Sequence, residues 1–395
     1  MPSQGWRNVL LLALVSLVAD ISGEMLMAVL PFLLLAQGAT GVGVALVSGI
    51  TEGVGHFMKL VGGRLGERVK HPRLLIGGGY LLAALSRFGV GLAPAWGVTL
   101  AFRSLDRVGK GLRTAPRDAL VAAGIEPQQR SRAFGLHRAA DTTGAVVGVL
   151  VVLAALAWLD ASHRSIVLVG AAVGLLTVIP LFFVRDAPLA PSSEGRFQPG
   201  PAQPGYRSLL AVMAAFNLGR VSYMFYLIHA AGRNIEAVQQ AVLWYLLFNI
   251  VYAAASYPLG RLADLRGRRV VVLCGFLLQA AAAVPFILGQ QGLPMAAGFV
   301  LLGLSFAAVE SNAVALAAEL SGQKGRSRRL GEYHALVGAA TLVGSLVAGV
   351  LWDEVARSWT FGWSLVLSCG AAAGLALMLA RGVGKRDWAA AAPGR

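Results

Sequence analysis

Apolar residues run along this chain in long unbroken stretches rather than in the alternating or one-faced patterns of water-soluble elements. A bilayer-crossing helix needs roughly 20 such residues. Twelve stretches qualify: approximately 8–36, 41–63, 73–93, 95–113, 132–158 and 164–184, then 207–230, 237–261, 269–289, 294–320, 331–352 and 359–381. Between the sixth and seventh lies DAPLAPSSEGRFQPGPAQPGY, residues 186–206, rich in Pro, Gly and Ser and without helical periodicity. It reads as a flexible cytoplasmic linker. The pattern predicts an all-α membrane protein with six-helix bundles at 1–185 and 207–395, the second ending in a short cytoplasmic tail. Spans four and seven are the weakest, because Arg103, Asp106, Arg107 and Lys110 interrupt one and Asn217 and Arg220 the other. The first span is too long for a cleaved signal peptide and contains two acids, so it reads as a retained anchor.

Composition narrows the class. Only 13% of the residues are charged and 56% are hydrophobic. A soluble domain carries about 25% charged residues, so an ordinary water-soluble enzyme is excluded, and disorder needs low hydrophobicity. The net charge of +15 raises the question of nucleic acid, and the placement of the bases answers it. One set of loops holds Arg64, Arg68, Lys70 and Arg73, then Arg113, Arg117, Arg130 and Arg132, then Arg185, Arg196 and Arg207. The same side receives Arg261, Arg266, Arg268 and Arg269, then Lys324, Arg326, Arg328 and Arg329, and the tail with Lys385 and Arg386. The opposite loops hold only Arg164, Arg233 and Arg357. By the Lys/Arg bias of short loops, both termini face the cytoplasm across a cytoplasmic (inner) membrane, and nucleic acid is not a partner. Cys274 and Cys369, each inside an apolar run, form neither a disulfide framework nor a zinc site. No P-loop or H-E-x-x-H occurs, and no metal or cofactor is expected.

The loop after span two reads GGRLGERVKHPR and that after span eight GRLADLRGRRVV. Their matching glycines, Gly63 and Gly260, are 260 − 63 = 197 residues apart in a chain of 395. Two parallel halves around a midplane site are a transporter architecture. Through these loops, and over essentially its whole length, the chain resembles the major facilitator superfamily. The second copy of that family's gate signature matches through Gly260, Leu262, Asp264, Gly267, Arg268 and Arg269, with Leu265 in place of a base. The first matches at Gly63, Leu65, Glu67 and Arg68, while Lys70 and His71 stand where the family has Gly and a base. In the family this motif locks the cytoplasmic ends of the halves together in the outward-facing state. The chain also resembles one bacterial branch of the superfamily, through DISGEM at Asp20–Met25, RSLDRVGKGLRTAPRDAL at Arg103–Leu120 and FGLHRAADTTGA at Phe134–Ala145. The resemblance implies a monomeric, multi-pass secondary active transporter working by alternating access, and not an enzyme.

Ionisable groups inside the spans are functional candidates by default. In the first half these are Asp20 and Glu24, one turn apart; Glu52, His56 and Lys59 on one face; Arg103, Asp106, Arg107 and Lys110; and Arg138 with Asp141. The near balance of acids and bases suggests internal ion pairs, in which losing one partner costs about 3–5 kcal/mol. Asp106, Arg107, Arg138 and Asp141 either pin spans four and five together or take part in transport. Lys110, Arg113, Arg117 and Asp118 read as a solvated bend, and Arg87 receives no role. Asp20 and Glu24 are coupling or substrate candidates, because span one lines the central path in the resembled fold. An acid there can load and release a proton as water access alternates, and a neighbouring Arg such as Arg103 competes with that proton. Asp20→Asn is then expected to abolish pH-driven transport without changing abundance.

The second half offers Arg220 with Asn217 and Tyr223, Glu310 with Asn312, and Tyr245, Asn249 and Tyr252 on one face. Each serves either solute binding or helix packing, and Arg220 and Glu310 are able to pair across an empty cavity. Asp353 and Glu354 read as solvated at an external end. Arg103 and Gly109 fit the Arg-(x)5-Gly spacing of proton-coupled family members. Gly144 and Gly148 keep the glycines of the drug-exporter motif in span five without its Pro, so direction stays open. The expected cargo is a small polar organic solute, anionic or zwitterionic if Arg103 and Arg220 bind it, moved with protons. An amphipathic drug or a siderophore, exported by proton antiport, fits the tyrosines and apolar lining as an alternative. Rival classes are an intramembrane enzyme on a lipid-linked substrate and a non-transporting scaffold.

Overall fold

The computed structural model describes residues 4–66, 69, 71–123, 125–126, 129–186, 204–232, 235–289, 291–321 and 326–381. Residues 187–203 of the linker expected at 186–206, Glu67, Arg68 and Lys70 of the first gate copy, Arg233, Lys324, and the tail from 382 onward lie outside them. No strand occurs among the described residues. The first half contains α1 (Gln4–Ala36), α2 (Gly41–Gly66), α3 (Pro72–Leu92), α4 (Trp96–Ala122), α5 (Arg130–Trp158), α6 (His163–Leu175) and α7 (Val178–Phe183). The second contains α8 (Tyr206–Gly219), α9 (Tyr223–Ala231), α10 (Ile235–Arg266), α11 (Arg268–Ile287), α12 (Leu293–Leu320), α13 (Arg326–Val350) and α14 (Arg357–Ala380). A π-helical turn, Leu351–Val355, extends α13. Taking α6 with α7 and α8 with α9 as single crossings gives twelve.

Eleven of these crossings are long and apolar enough to span a bilayer on composition alone, and α4 is the exception. It stands because its charges point into the protein. Arg103, Asp106 and Arg113 are buried, and α4 packs between α2 and α3. Gly109 abuts the backbone of Gly79 on α3, and Gly111 abuts Met58 and Lys59 on α2, so the three helices approach closely. The helix also runs through Pro116 to Ala122, well past the expected end at 113. Residues 110–118 are therefore helix and not a bend, and Arg113 is buried, while Lys110 and Asp118 keep the solvent exposure expected of them. Arg113 is 3% exposed, with its guanidinium 3.7 Å from the Tyr80 ring centre. The charge-weakened seventh crossing breaks instead: α8 ends at Gly219, Arg220 is extended, and Ser222 caps α9 through the Met224 amide.

Within the first half α1 packs on α5 and α6, and α4 on α2 and α3. In the second, α11 packs on α12 and α14, and α8 on α13 and α14. The halves meet through α2 with α13 and α5 with α10, so the second crossing of each half meets the fifth of the other. That exchange is what a pseudo-twofold relation between two bundles produces.

The two ends of the molecule differ. At the end poor in Arg, one continuous core joins both halves, from Met25–Leu34 and Val44–Val47 to Tyr226, Phe248, Phe286 and Phe361. At the Arg-rich end each half keeps its own core, around Leu12, Tyr80 and Leu120 in one and Phe216, Phe276 and Leu316 in the other. The molecule is sealed at the first end and parted at the second.

Asp353, exposed at the helix end as expected, also helps make that seal. Its two carboxylate oxygens accept from the Gly41 and Val42 amides at 2.7 and 2.8 Å, capping α2 from the other half. A carboxylate on a helix N-terminus contributes about 1–2 kcal/mol. Asp353→Ala is therefore expected to shift the equilibrium about tenfold toward opening at this end. In a Cys274→Ser/Cys369→Ser background, a cysteine introduced at the buried Ser48 should then react faster with an impermeant maleimide applied from that side.

Candidate transport cavity

Between the parted halves lies a cavity of about 310 Å³, at the small end of ligand sites (~300–1,000 Å³). Helical spacing puts its walls together. On α2, Thr51, Glu52 and His56 fall on one face; on α10, Tyr245, Phe248, Asn249 and Tyr252 do the same. Glu24 and Met27 of α1, Arg103 and Arg107 of α4, Arg220 at the α8–α9 break, Tyr223 of α9, and Phe306 and Glu310 of α12 complete the ring.

Each half contributes one ion pair to the wall. Arg107 lies 3.6 Å from Glu52 in the first half, and Arg220 lies 2.8 Å from Glu310 in the second. Arg220 also sits 4.0 Å from the centre of the Phe306 ring. Two tyrosines of the second half reach α1 of the first: Tyr245 donates to the Glu24 carboxylate at 2.8 Å, and Tyr223 donates to the Met27 carbonyl at 3.1 Å. Glu24 has no basic partner within ion-pair distance among the described residues. Tyr223, Tyr245, Phe248 and Tyr252 form a run of stacked rings with centroids 5.4, 5.9 and 6.2 Å apart.

Behind the wall is a second, buried layer. Asp106 accepts from Arg87 at 3.1 Å and from Arg103, while Arg87 donates to the Ser22 hydroxyl at 2.6 Å. Asp106 thus holds α3 to α4 and leaves α5 alone, so the expected pinning of spans four and five is not what these charges do. Arg107 turns to α2, and Arg138 reaches across to the Tyr252 hydroxyl of α10 at 3.2 Å. Asp141 lies 3.6 Å from His137, whose other ring nitrogen meets the Ser16 hydroxyl at 2.9 Å.

Of the expected site residues, Glu24, Glu52, Arg103, Arg107, Arg220, Tyr223 and Glu310 line the cavity. Asp20 does not: it lies one turn beyond Glu24, near Lys110 and Asp141. The two acids of α1 come close to α5 because it carries glycine opposite each. A Cβ at Gly144 would be 3.2 Å from the Asp20 Cβ, and one at Gly148 would be 3.1 Å from that of Glu24. Asp106, Arg138 and Asp141 also stand outside the lining, and buried Asn312 donates to the Ala308 carbonyl of its own helix at 3.0 Å. Sequence reasoning passed over Arg87, although its charge in an apolar span was the signal. It also passed over the stacking of His56 on His334, centroids 5.5 Å apart, which no spacing within either half announces.

At the Arg-rich end, the described part of the gate motif holds the second half to itself. Arg268 pairs with Asp264 at 3.1 Å and with Glu319 of α12. Gly267 takes φ = +94°, the left-handed turn that lets α11 follow α10 without a gap. Gly260, Leu262 and Arg269 belong to the same segment, with Leu262 exposed, and Gly63 and Leu65 end α2 at the same level.

The Major Facilitator Superfamily model matches residues 12–242 and 208–393. An uncharacterised MFS-type transporter of Methanocaldococcus jannaschii is 32% identical over 373 residues, 92% of each chain. The nucleoside transporter NupG, in a mutant form, superposes with a TM-score of 0.76 at 14% identity, covering 93% of this chain and 99% of that one. A bacterial homologue of the human lysosomal transporter Spinster, inward-facing and occupied, superposes with a TM-score of 0.74 at 16% identity, covering 94% and 96%. The two structural likenesses are of fold. Family model, relative and fold agree that this chain belongs to the major facilitator superfamily of membrane transporters.

Proposed function

We propose that the protein carries a small organic solute across the cytoplasmic membrane by alternating access, driven by protons. Residues 1–185 and 207–395 are the two moving bundles and 186–206 their cytoplasmic linker. The positive loops put both termini in the cytoplasm, so the parted, Arg-rich end faces inward and the described state is inward-open. The protein acts as a monomer in the bilayer, since one chain supplies both walls of the site.

One observation carries the coupling: Glu24 of one half accepts from Tyr245 of the other, inside the cavity, and forms no ion pair among the described residues, Lys110 and Arg107 acting on it only from a distance. A hydrogen bond to an ionised acceptor is roughly twice as strong as a neutral one. Protonating Glu24 therefore weakens a contact between the halves, and ionising it restores that contact. Proton occupancy and bundle position become linked through a single side chain. Asp20, one turn along α1 and near Asp141, supplies a second acid for handing the proton on. Arg138, bonded to Tyr252 across the α5–α10 seam, braces the same interface.

The test is flux in proteoliposomes. With an imposed pH gradient, a transported solute should accumulate above equilibrium, and a protonophore should abolish that accumulation. Flux that reaches only equilibrium, whatever the gradient, removes the proton from the reading and leaves a uniporter.

A further inference from the structure

The arginines of the cavity suggested an anionic or zwitterionic cargo, but their exposure points the other way. In the Arg107–Glu52 pair the Arg side chain is 13% exposed and the Glu 46%. In the Arg220–Glu310 pair the values are 21% and 47%. Arg103 is 2% exposed and is taken up by buried Asp106. In each pair the guanidinium is set into the wall and the carboxylate faces the space. Glu24, without a basic partner, faces the same space. What a solute meets is three carboxylates and a bank of aromatic rings, although arginines and acids of the lining are equal in number.

We infer that the solute is an organic cation, an ammonium or similar group on an apolar or aromatic body, held between Glu52 and Glu310 with its body against Tyr252 and Phe306. This rests on the transport reading above and names its cargo. Glu52 and Glu310 belong to opposite halves and line the same cavity. Lys59 of α2 lies within electrostatic reach of both and offsets part of their mutual repulsion; what remains of it favours the parted state. A cation between them turns that repulsion into two attractions and draws α2 toward α12, as closure over a bound solute requires. Ring faces attract cations as well, through their quadrupole. A second anion entering the cavity would meet the carboxylates first. At Arg107 and Arg220 it would compete with a carboxylate already paired there.

Two pairs of probes of matched shape and opposite charge test this on the purified full-length protein. One is tetraphenylphosphonium against tetraphenylborate, the other tryptamine against indole-3-acetate, with affinity read by equilibrium dialysis against protein-free micelles. The cation of each pair should bind at least tenfold tighter than its anion. Glu310→Gln and Glu52→Gln should each weaken the cation at least tenfold, and Glu354→Gln, at the sealed end, should leave it unchanged. Because Glu310→Gln strands Arg220, the double variant Arg220→Gln/Glu310→Gln is the control for folding; it leaves no charge unpaired and should show the same loss. Equal binding of the two charges, tighter binding of the anions, no binding of either pair, or full cation affinity in the double variant overturns the inference. The transport reading fails separately: cations that bind but do not accumulate with a pH gradient refute proton coupling and leave the cargo class standing. A pH-driven flux of an anion refutes the cargo class alone.

Discussion

Glu24→Gln is expected to reduce accumulation driven by a pH gradient at least a hundredfold while leaving solute exchange at equal pH within a few fold of wild type. The amide keeps an acceptor for the Tyr245 hydroxyl, now 2.8 Å from the carboxylate, so the packing of α1 on α10 survives. The ability to change charge does not. In the native protein the Glu24–Tyr245 contact is charge-assisted when Glu24 is ionised and ordinary when it is protonated, and the pH of the accessible side sets which. In the variant the contact has one strength at every pH. Exchange measured from pH 5 to 8 should therefore lose its pH dependence, and solute should equilibrate without being concentrated. Asp20→Asn provides the comparison. Asp20 stands outside the cavity lining, so its loss should slow the proton without changing solute affinity. Gradient-driven accumulation that persists in Glu24→Gln and vanishes in Asp20→Asn would move the coupling acid one turn along α1.

The twelve crossings and the two-bundle plan were legible because a bilayer imposes one pattern, about 20 apolar residues per helix, and because a loop motif recurs at half the chain length. The charges inside the spans were legible as a set, since an ionisable group in a lipid-exposed place is costly. Their pairing was not. Helical spacing says which residues share a face, and it was right that Glu52 and His56 do. It says nothing about what that face meets, so it could not show that Arg107 turns to Glu52 rather than toward α5, or that Asp106 takes Arg87 of α3. The same limit hid the cross-half contacts: Tyr245 with Glu24, His56 with His334, and the Asp353 carboxylate on the first amides of α2. All three join parts of the chain more than 200 residues apart. The accessible sign of the cavity was equally invisible, because composition counts an arginine set into a wall and one facing the solute alike.

Asp106→Asn is expected to cost more than any change to the cavity itself. Asp106 is the shared acid of Arg87 and Arg103, and all three side chains are at most 6% exposed. Removing its charge leaves two buried cations without their counter-ion, at about 3–5 kcal/mol, a large share of the 5–15 kcal/mol that holds a typical domain together. The variant should accumulate poorly in membranes, and its thermal midpoint in detergent should fall by about 10 °C. By contrast, Glu310→Gln at the half-exposed Arg220 pair should shift the midpoint by no more than a few degrees, because water reaches that pair. Replacing the buried triad as a unit, with Arg87→Met, Arg103→Met and Asp106→Leu, removes the stranded charges and should restore most of the lost abundance, as buried ion clusters often allow. Transport by that folded triple variant separates the two roles that spacing alone left open. Near-normal flux would make the triad a brace for α3 and α4. An abundant but inactive protein would mean that Arg103, the one member reaching the cavity wall, acts on the solute or on the proton at Glu24.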